Sequence, residues 1–204
     1  MKKLCCWLLI IIVITLCGCS VSKQDEETTE VVSLTETSSY TSEIIDESDY
    51  YKVIYNGDFT YSYEIRDKSG NILLSDNSEK EEPHIDMLND NTVKLMIQRG
   101  TGLATQVTTY CNIEQGTVSD KFSYVLTEFD KNTVYIQYRD NVHYIIIQNI
   151  FDKNEFYQES KISDASPIAD AITNAEISED GKILTVTYHT GEDCLETKML
   201  IALK

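Results

Sequence analysis

The 204-residue chain carries 34 acidic against 17 basic side chains, a formal charge of −17. A surface of that sign repels nucleic acid and anionic lipid headgroups, so nucleic-acid binding is excluded as a function class and no nucleic-acid partner is expected. Thirteen tyrosines against one tryptophan make tyrosine the aromatic from which any recognition surface would be built.

In chain order the first element is a short greasy segment. Lys2 and Lys3 precede a largely apolar run from Leu4 to Leu16, followed by small residues. This is the three-part layout of an export signal. As a helix the run reaches only about 20 Å, short of the roughly 30 Å hydrocarbon core that a permanent span must cross, so residues 1–18 are predicted to be removed. The junction Leu16-Cys17-Gly18-Cys19 resembles the bacterial lipobox, with Cys17 standing where alanine, serine or threonine is usual. The resemblance implies a diacylglycerol on the Cys19 sulfur and cleavage just before it. Two acyl chains matter because a single chain gives only marginal, reversible attachment. The expected location is the cell membrane, lipid-anchored, on the extracytoplasmic face. An uncleaved anchor is the alternative, and it too places everything beyond residue 20 outside the cytoplasm.

Removing residues 1–18 takes away two lysines and leaves a mature charge of −19. Residues 19–49 continue from the lipidation site as a segment dense in serine, threonine and acids and almost free of aromatics. Such a composition buries too little apolar surface to offset the entropy of ordering, so it reads as a disordered tether. Thirty residues of this kind reach about 30 Å and hold the rest of the chain off the lipid surface.

From Tyr50 to Lys204 one β-rich domain is predicted, all-β and built as an antiparallel meander of hairpins folded into a sandwich, an open barrel or a small propeller-like arrangement. Phe59, Tyr61, Tyr63 and Ile65 alternate with polar residues at the period of a strand, the turn Asp67–Asn71 comes next, and Ile72 to Leu74 return. His84 to Leu88 turns at Asn89-Asp90-Asn91 into Val93, Leu95 and Ile97. Ala104 to Ile113 turns at Glu114-Gln115-Gly116 and returns over Val118 to Leu126. Thr133 to Tyr138 turns at Arg139-Asp140-Asn141 into Val142–Ile150, which is apolar on both faces and is therefore the predicted centre of the fold. Ser163 to Asn174 breaks the rhythm as a loop or a single helical turn. After it, AEISEDGKILTVTYHTGEDCLETKMLIAL runs strand, turn, strand, turn, strand and resembles a β-propeller blade. No fixed-period repeat accompanies it.

Outside the signal and its lipidation site the cysteines are Cys111 and Cys194. Cys111 shares a face with Val107 and Ile113, whereas Cys194 falls with Glu196 and Lys198, so the two point to opposite sides and are expected to stay unpaired. His84 and Asp86 could share a strand face, but no third ligand stands near and neither a metal nor another cofactor is expected. His189 and Cys194 flank a turn whose acids would raise a thiol pKa rather than activate it. Arg99-Gly100-Thr101-Gly102 has no helix behind it and reads as a β-bulge or a strand connection. The acids around Glu79, Glu81, Glu82 and Asp86 read as a solvated face. No catalytic residues are assigned. Tyr135, Tyr138 and Tyr144 are the candidate recognition surface, for a polypeptide or a glycan.

The lipobox, the acidic tether, the GTGLAT loop and the TYHTGED hairpin together resemble small lipoproteins of Gram-positive bacteria that carry no assigned activity. The expected role is a non-catalytic binding or scaffolding module for an envelope protein or glycan. An exported carboxylate-dependent hydrolase acting on envelope polymers and a small solute-binding component are the alternatives.

Overall fold

A computed structural model describes residues 41–162, 164–166 and 171–203, which fall within one unit, Ser39–Lys204. The expected signal, the Cys19 lipidation site and the tether up to residue 40 lie outside the described residues.

The described chain is all-β. β1 (Glu43–Glu47), β2 (Tyr51–Tyr55), β3 (Tyr61–Arg66) and β4 (Ile72–Glu79) form a first sheet in chain order. β5 (Pro83–Asn89), β6 (Thr92–Gln98), β7 (Gln106–Asn112) and β8 (Thr117–Val118) form a second, with β9 (Phe122–Ser123) also paired to β7. β10 (Val125–Phe129), β11 (Asn132–Arg139), β12 (Val142–Asn149) and β13 (Tyr157–Ile162) make the third. β14 (Ile172–Ile177), β15 (Ile183–Thr190) and β16 (Leu195–Ala202) make the fourth, which has three strands. Except for β9, which pairs with β7, strands adjacent in sequence pair antiparallel within each sheet, the meander that alternating runs and short turns dictate. Among the described residues no sheet closes into a barrel.

Alternation gives each strand two faces, and consecutive sheets use them against each other. Val53, Tyr63 and Ile65 of the first sheet pack with Ile85, Val93, Leu95 and Cys111 of the second. On the other face of β7, Tyr110 joins Phe122, Val125 and Ile150, tying the second sheet to the third. Val134, Ile136, Ile145 and Ile147 of the third then pack on Leu184, Val186, Tyr188 and Ile201 of the fourth. The third sheet is thus covered on both sides. That is why Val142–Ile150 is apolar on both faces: Ile145, Ile146 and Ile147 are all buried. Its turn, Asp140-Asn141, takes positive φ at both residues, 51° and 60°, the two-residue hairpin geometry whose twist matches the strands it joins.

Three expectations are corrected. Pairing begins before Tyr50: β1 lies in the stretch read as tether and pairs with β2, although all its side chains are exposed. Composition gave no warning because its hydrogen bonds are backbone bonds. Phe59 is not a strand residue; with φ of 64° it sits in the turn between β2 and β3 and is 80% exposed. The return strand expected over Val118 to Leu126 is broken into β8, β9 and β10. Tyr124, at φ 58°, makes the break: its N–H donates to Gln106 of the second sheet while its carbonyl accepts from Ile136 of the third. This residue hands the chain from one sheet to the next, and its hydroxyl donates to the Ile172 carbonyl at 2.8 Å. For the stretch Ser163 to Asn174, residues 163 and 167–170 lie outside the described residues, Ala165 bridges to Thr190, and β14 has begun by Ile172.

Cys111 is buried and Cys194 exposed, both as free thiols. Burial pushes the Cys111 thiol up to about 12, so it remains protonated and shielded. In native protein a Cys111→Ser variant is expected to keep the fast-reacting thiol and a Cys194→Ser variant to lose it, with Cys111 reacting only once urea unfolds the domain. Equal rates from the two single variants would contradict this packing.

Candidate binding surface

Register decides which tyrosines share a face. Tyr135 pairs with Ile146 and Gln137 with Tyr144, so Tyr135, Gln137, Arg139 and Tyr144 stand on one side of the third sheet. The β12–β13 register adds Tyr157, Glu159 and Lys161 to that side. Tyr138 pairs with His143 on the opposite side, where the two rings lie 4.9 Å apart. The expected row of Tyr135, Tyr138 and Tyr144 is therefore split between two faces.

In its place is a shallow depression of about 540 Å³ beside the C-terminal half of β11, lined by Tyr135, Gln137, Tyr138, Gln148 and Tyr157 with Lys121 and Lys153 at its margin. Tyr138 borders it at the strand edge. Tyr144 does not line it, because the Arg139 guanidinium lies over its ring at 3.9 Å. β10 begins only at Val125, opposite Tyr135, so the far end of β11 is left beside the hollow.

The polar groups are held by one another. The Tyr135 hydroxyl donates to Gln148 Oε1 at 2.9 Å, and its ring packs on Phe122 at 5.2 Å. The Tyr157 hydroxyl donates to Glu159 Oε2 at 2.8 Å, and Arg139 Nη2 lies 2.6 Å from Glu159 Oε1. Hydrogen bonds from Arg139 and then Tyr157 hold the Glu159 carboxyl below its usual range. Burial first, with the Asp120 carboxylate adding to it, pushes the Tyr135 phenol up to about 12, and burial with the bond to Glu159 raises Tyr157. Both phenols therefore stay protonated, and Glu159 is an ionised acceptor already engaged. Phenol and amide groups at fixed positions beside aromatic surface suit polar recognition; an engaged carboxylate is poorly placed to take a proton.

The remaining candidates fall elsewhere. His84 and Asp86 are exposed on β5, and among the described residues no three metal-capable side chains converge. Cys194 sits in the β15–β16 turn at φ 51°, its sulfur 3.9 Å from the Ser166 hydroxyl, while His189 pairs with Glu196. Arg99-Gly100-Thr101-Gly102 is a strand connection: the Gln98 amide donates to the Gly100 and Gly102 carbonyls at 2.7 and 2.8 Å. Glu79 departs from the solvated reading. It is buried, and Arg99 Nη2 donates to it at 2.9 Å, clamping the end of β4 to the end of β6.

Sequence reasoning missed Tyr157, Gln148, Lys121 and Lys153. The alternation of Tyr157, Glu159 and Lys161 in β13 was the available signal; that Tyr157 lines the same hollow as residues 121–123 depends on the break at Tyr124.

No family model and no curated protein matches this chain. Among solved structures it is similar to the computationally designed Ika4 protein, with 14% identity over 76% of this chain and 88% of that chain at a TM-score of 0.35.

Proposed function

We propose that this chain is a lipid-anchored extracytoplasmic binding module, tethered to the cell membrane through a diacylglycerol on Cys19 and recognising an envelope glycan through the depression beside β11. The observation that carries the anchoring is the junction Leu16-Cys17-Gly18-Cys19 placed directly after an apolar run too short to span a bilayer. The terminal three-stranded antiparallel unit is read as a scaffold element that presents a surface. Support for a glycan comes from the lining: protonated Tyr135 and Tyr157, the amides of Gln137 and Gln148, and the charged groups Asp120, Lys121 and Lys153. Sugars pack on aromatic faces and exchange hydrogen bonds with amides and phenols. An envelope polypeptide is the second ligand class, favoured by the strand end of β11 that flanks the hollow.

Two measurements test this. Cys19→Ala should leave residues 1–18 attached and carry no acyl chains, both read by intact mass; a wild-type mass without acyl chains would defeat the anchoring. Full-length protein in detergent should cosediment with isolated cell-wall polymer, and Tyr157→Ala should weaken that at least about tenfold, the effect of losing a central aromatic contact, without changing Tm. Cosedimentation indifferent to Tyr157→Ala and Tyr135→Ala would move the site elsewhere.

A further inference from the structure

The fourth sheet ends on β16, an eight-residue strand with which, among the described residues, only β15 pairs. An edge of this length presents a row of unpaired backbone groups, the template for another strand. The Leu203 N–H donates to the Lys182 carbonyl, which fixes the phase of the ladder. Odd-numbered residues of β16 turn their N–H and C=O toward β15, and Glu196, Lys198, Leu200 and Ala202 turn theirs to the open edge. The Ala202 carbonyl fits this phase: it accepts from the Gln158 amide at 2.9 Å, which closes the C-terminal end of the edge. Glu196, Lys198 and Leu200 remain.

We propose that this edge is a homodimer interface in which β16 pairs antiparallel with β16 of a second copy, joining two three-stranded sheets into one of six strands. The occupant is argued from self-complementarity. A two-fold axis through Thr197 sets Glu196 opposite Lys198 and Lys198 opposite Glu196, as hydrogen-bonded pairs that use the open backbone groups, with an opposite-charge contact on each side of the axis. On the other face the same register sets Leu195 against Met199. Leu195 is 64% exposed in the single chain, so this contact removes apolar surface that the monomer leaves in water. Moving the axis to Lys198 would oppose two lysines and leave Glu196 against Leu200; moving it between Lys198 and Leu200 would leave both charges unpaired and contend with Gln158 for Ala202. One register satisfies charge, ladder phase and the capped end together. A closed two-fold pairing also ends growth, because each copy uses its edge once.

The registration has a chemical test. Thr197 meets its own copy at a non-hydrogen-bonded position, where facing Cα atoms lie about 4.5 Å apart, within disulfide reach. In full-length Cys194→Ser protein, adding Thr197→Cys should give an oxidised covalent dimer well above the Cys194→Ser background, whereas adding Leu200→Cys should not. Sedimentation should show a dimer whose dissociation constant rises at least about tenfold with Lys198→Glu, which puts acid against acid, and recovers when Glu196→Lys is added, at the strength an opposed charge pair carries. A monomer at all concentrations, a dimer indifferent to Lys198→Glu, or crosslinking no greater through residue 197 than through residue 200 would each overturn the proposal.

Discussion

Ile145→Ala is expected to destabilise the domain by about 3 to 4 kcal/mol and lower Tm by about 10 °C, and Ile146→Ala by a similar amount. The two neighbours point to opposite faces of β12, and both are fully buried. Ile145 packs with Val134, Ile147 and Leu184 in the core between the third and fourth sheets, while Ile146 faces the second sheet's side. In a sheet covered on one face only, one of these truncations would cost little, since its side chain would already stand in water. Equal large losses therefore report that the third sheet is sandwiched. Ile183→Ala, on the outer face of β15, is the contrast and should cost less than about 1 kcal/mol. Urea titrations should show the midpoint falling with unchanged slope for both core variants. If Ile146→Ala matched Ile183→Ala, the packing of the second sheet on the third would be wrong.

The second large effect concerns a charge pair between those sheets. Lys94 on β6 lies 2.5 Å from Glu128 on β10, with only 22% and 15% of the two side chains exposed. The Tyr110 hydroxyl, itself buried, donates to the same carboxylate at 2.7 Å and lies 3.3 Å from the Thr133 hydroxyl. Burial and the Glu128 charge raise the Tyr110 phenol, so it stays a donor. Glu128→Ala leaves an ammonium and a phenol without their acceptor and should cost about 3 kcal/mol. Lys94→Met with Glu128→Leu removes both charges and replaces them with side chains of similar volume. That double variant should recover most of the loss, because taking two ions out of water costs nearly what their attraction returns. Losses that simply added would show that the two groups do not share one environment.

The difference between these predictions marks where sequence reading succeeds. Val93, Leu95 and Ile97, or Tyr63 and Ile65, announce a strand and its buried face by spacing alone, since a side chain's direction alternates with each residue whatever surrounds it. The apolar run of β12 went further and announced burial on two sides. Cys111 on β7 is buried as its alternation required, whereas Cys194 is exposed because it sits in the β15–β16 turn rather than on a strand face. Pairings that cross between sheets had no such local mark. Arg99 and Glu79 are twenty residues apart, Lys94 and Glu128 thirty-four, and in the sequence each acid resembles any other of the 34.

The recognition surface lay between these cases. Tyr135 and Tyr138 do border one hollow, yet adjacent strand residues of odd and even number reach it from different sides, and Tyr144 is covered by Arg139. The sequence by itself determined the all-β character, the order of hairpins, the buried faces and the central strand, because these arise from a two-residue period and from turn chemistry acting locally. Only the tertiary structure decided where the chain changes sheets at Tyr124, which carboxylates are buried, and which tyrosines meet Lys121 and Lys153. Each of those depends on distances between segments remote in the chain, and such distances are set by how whole sheets stack.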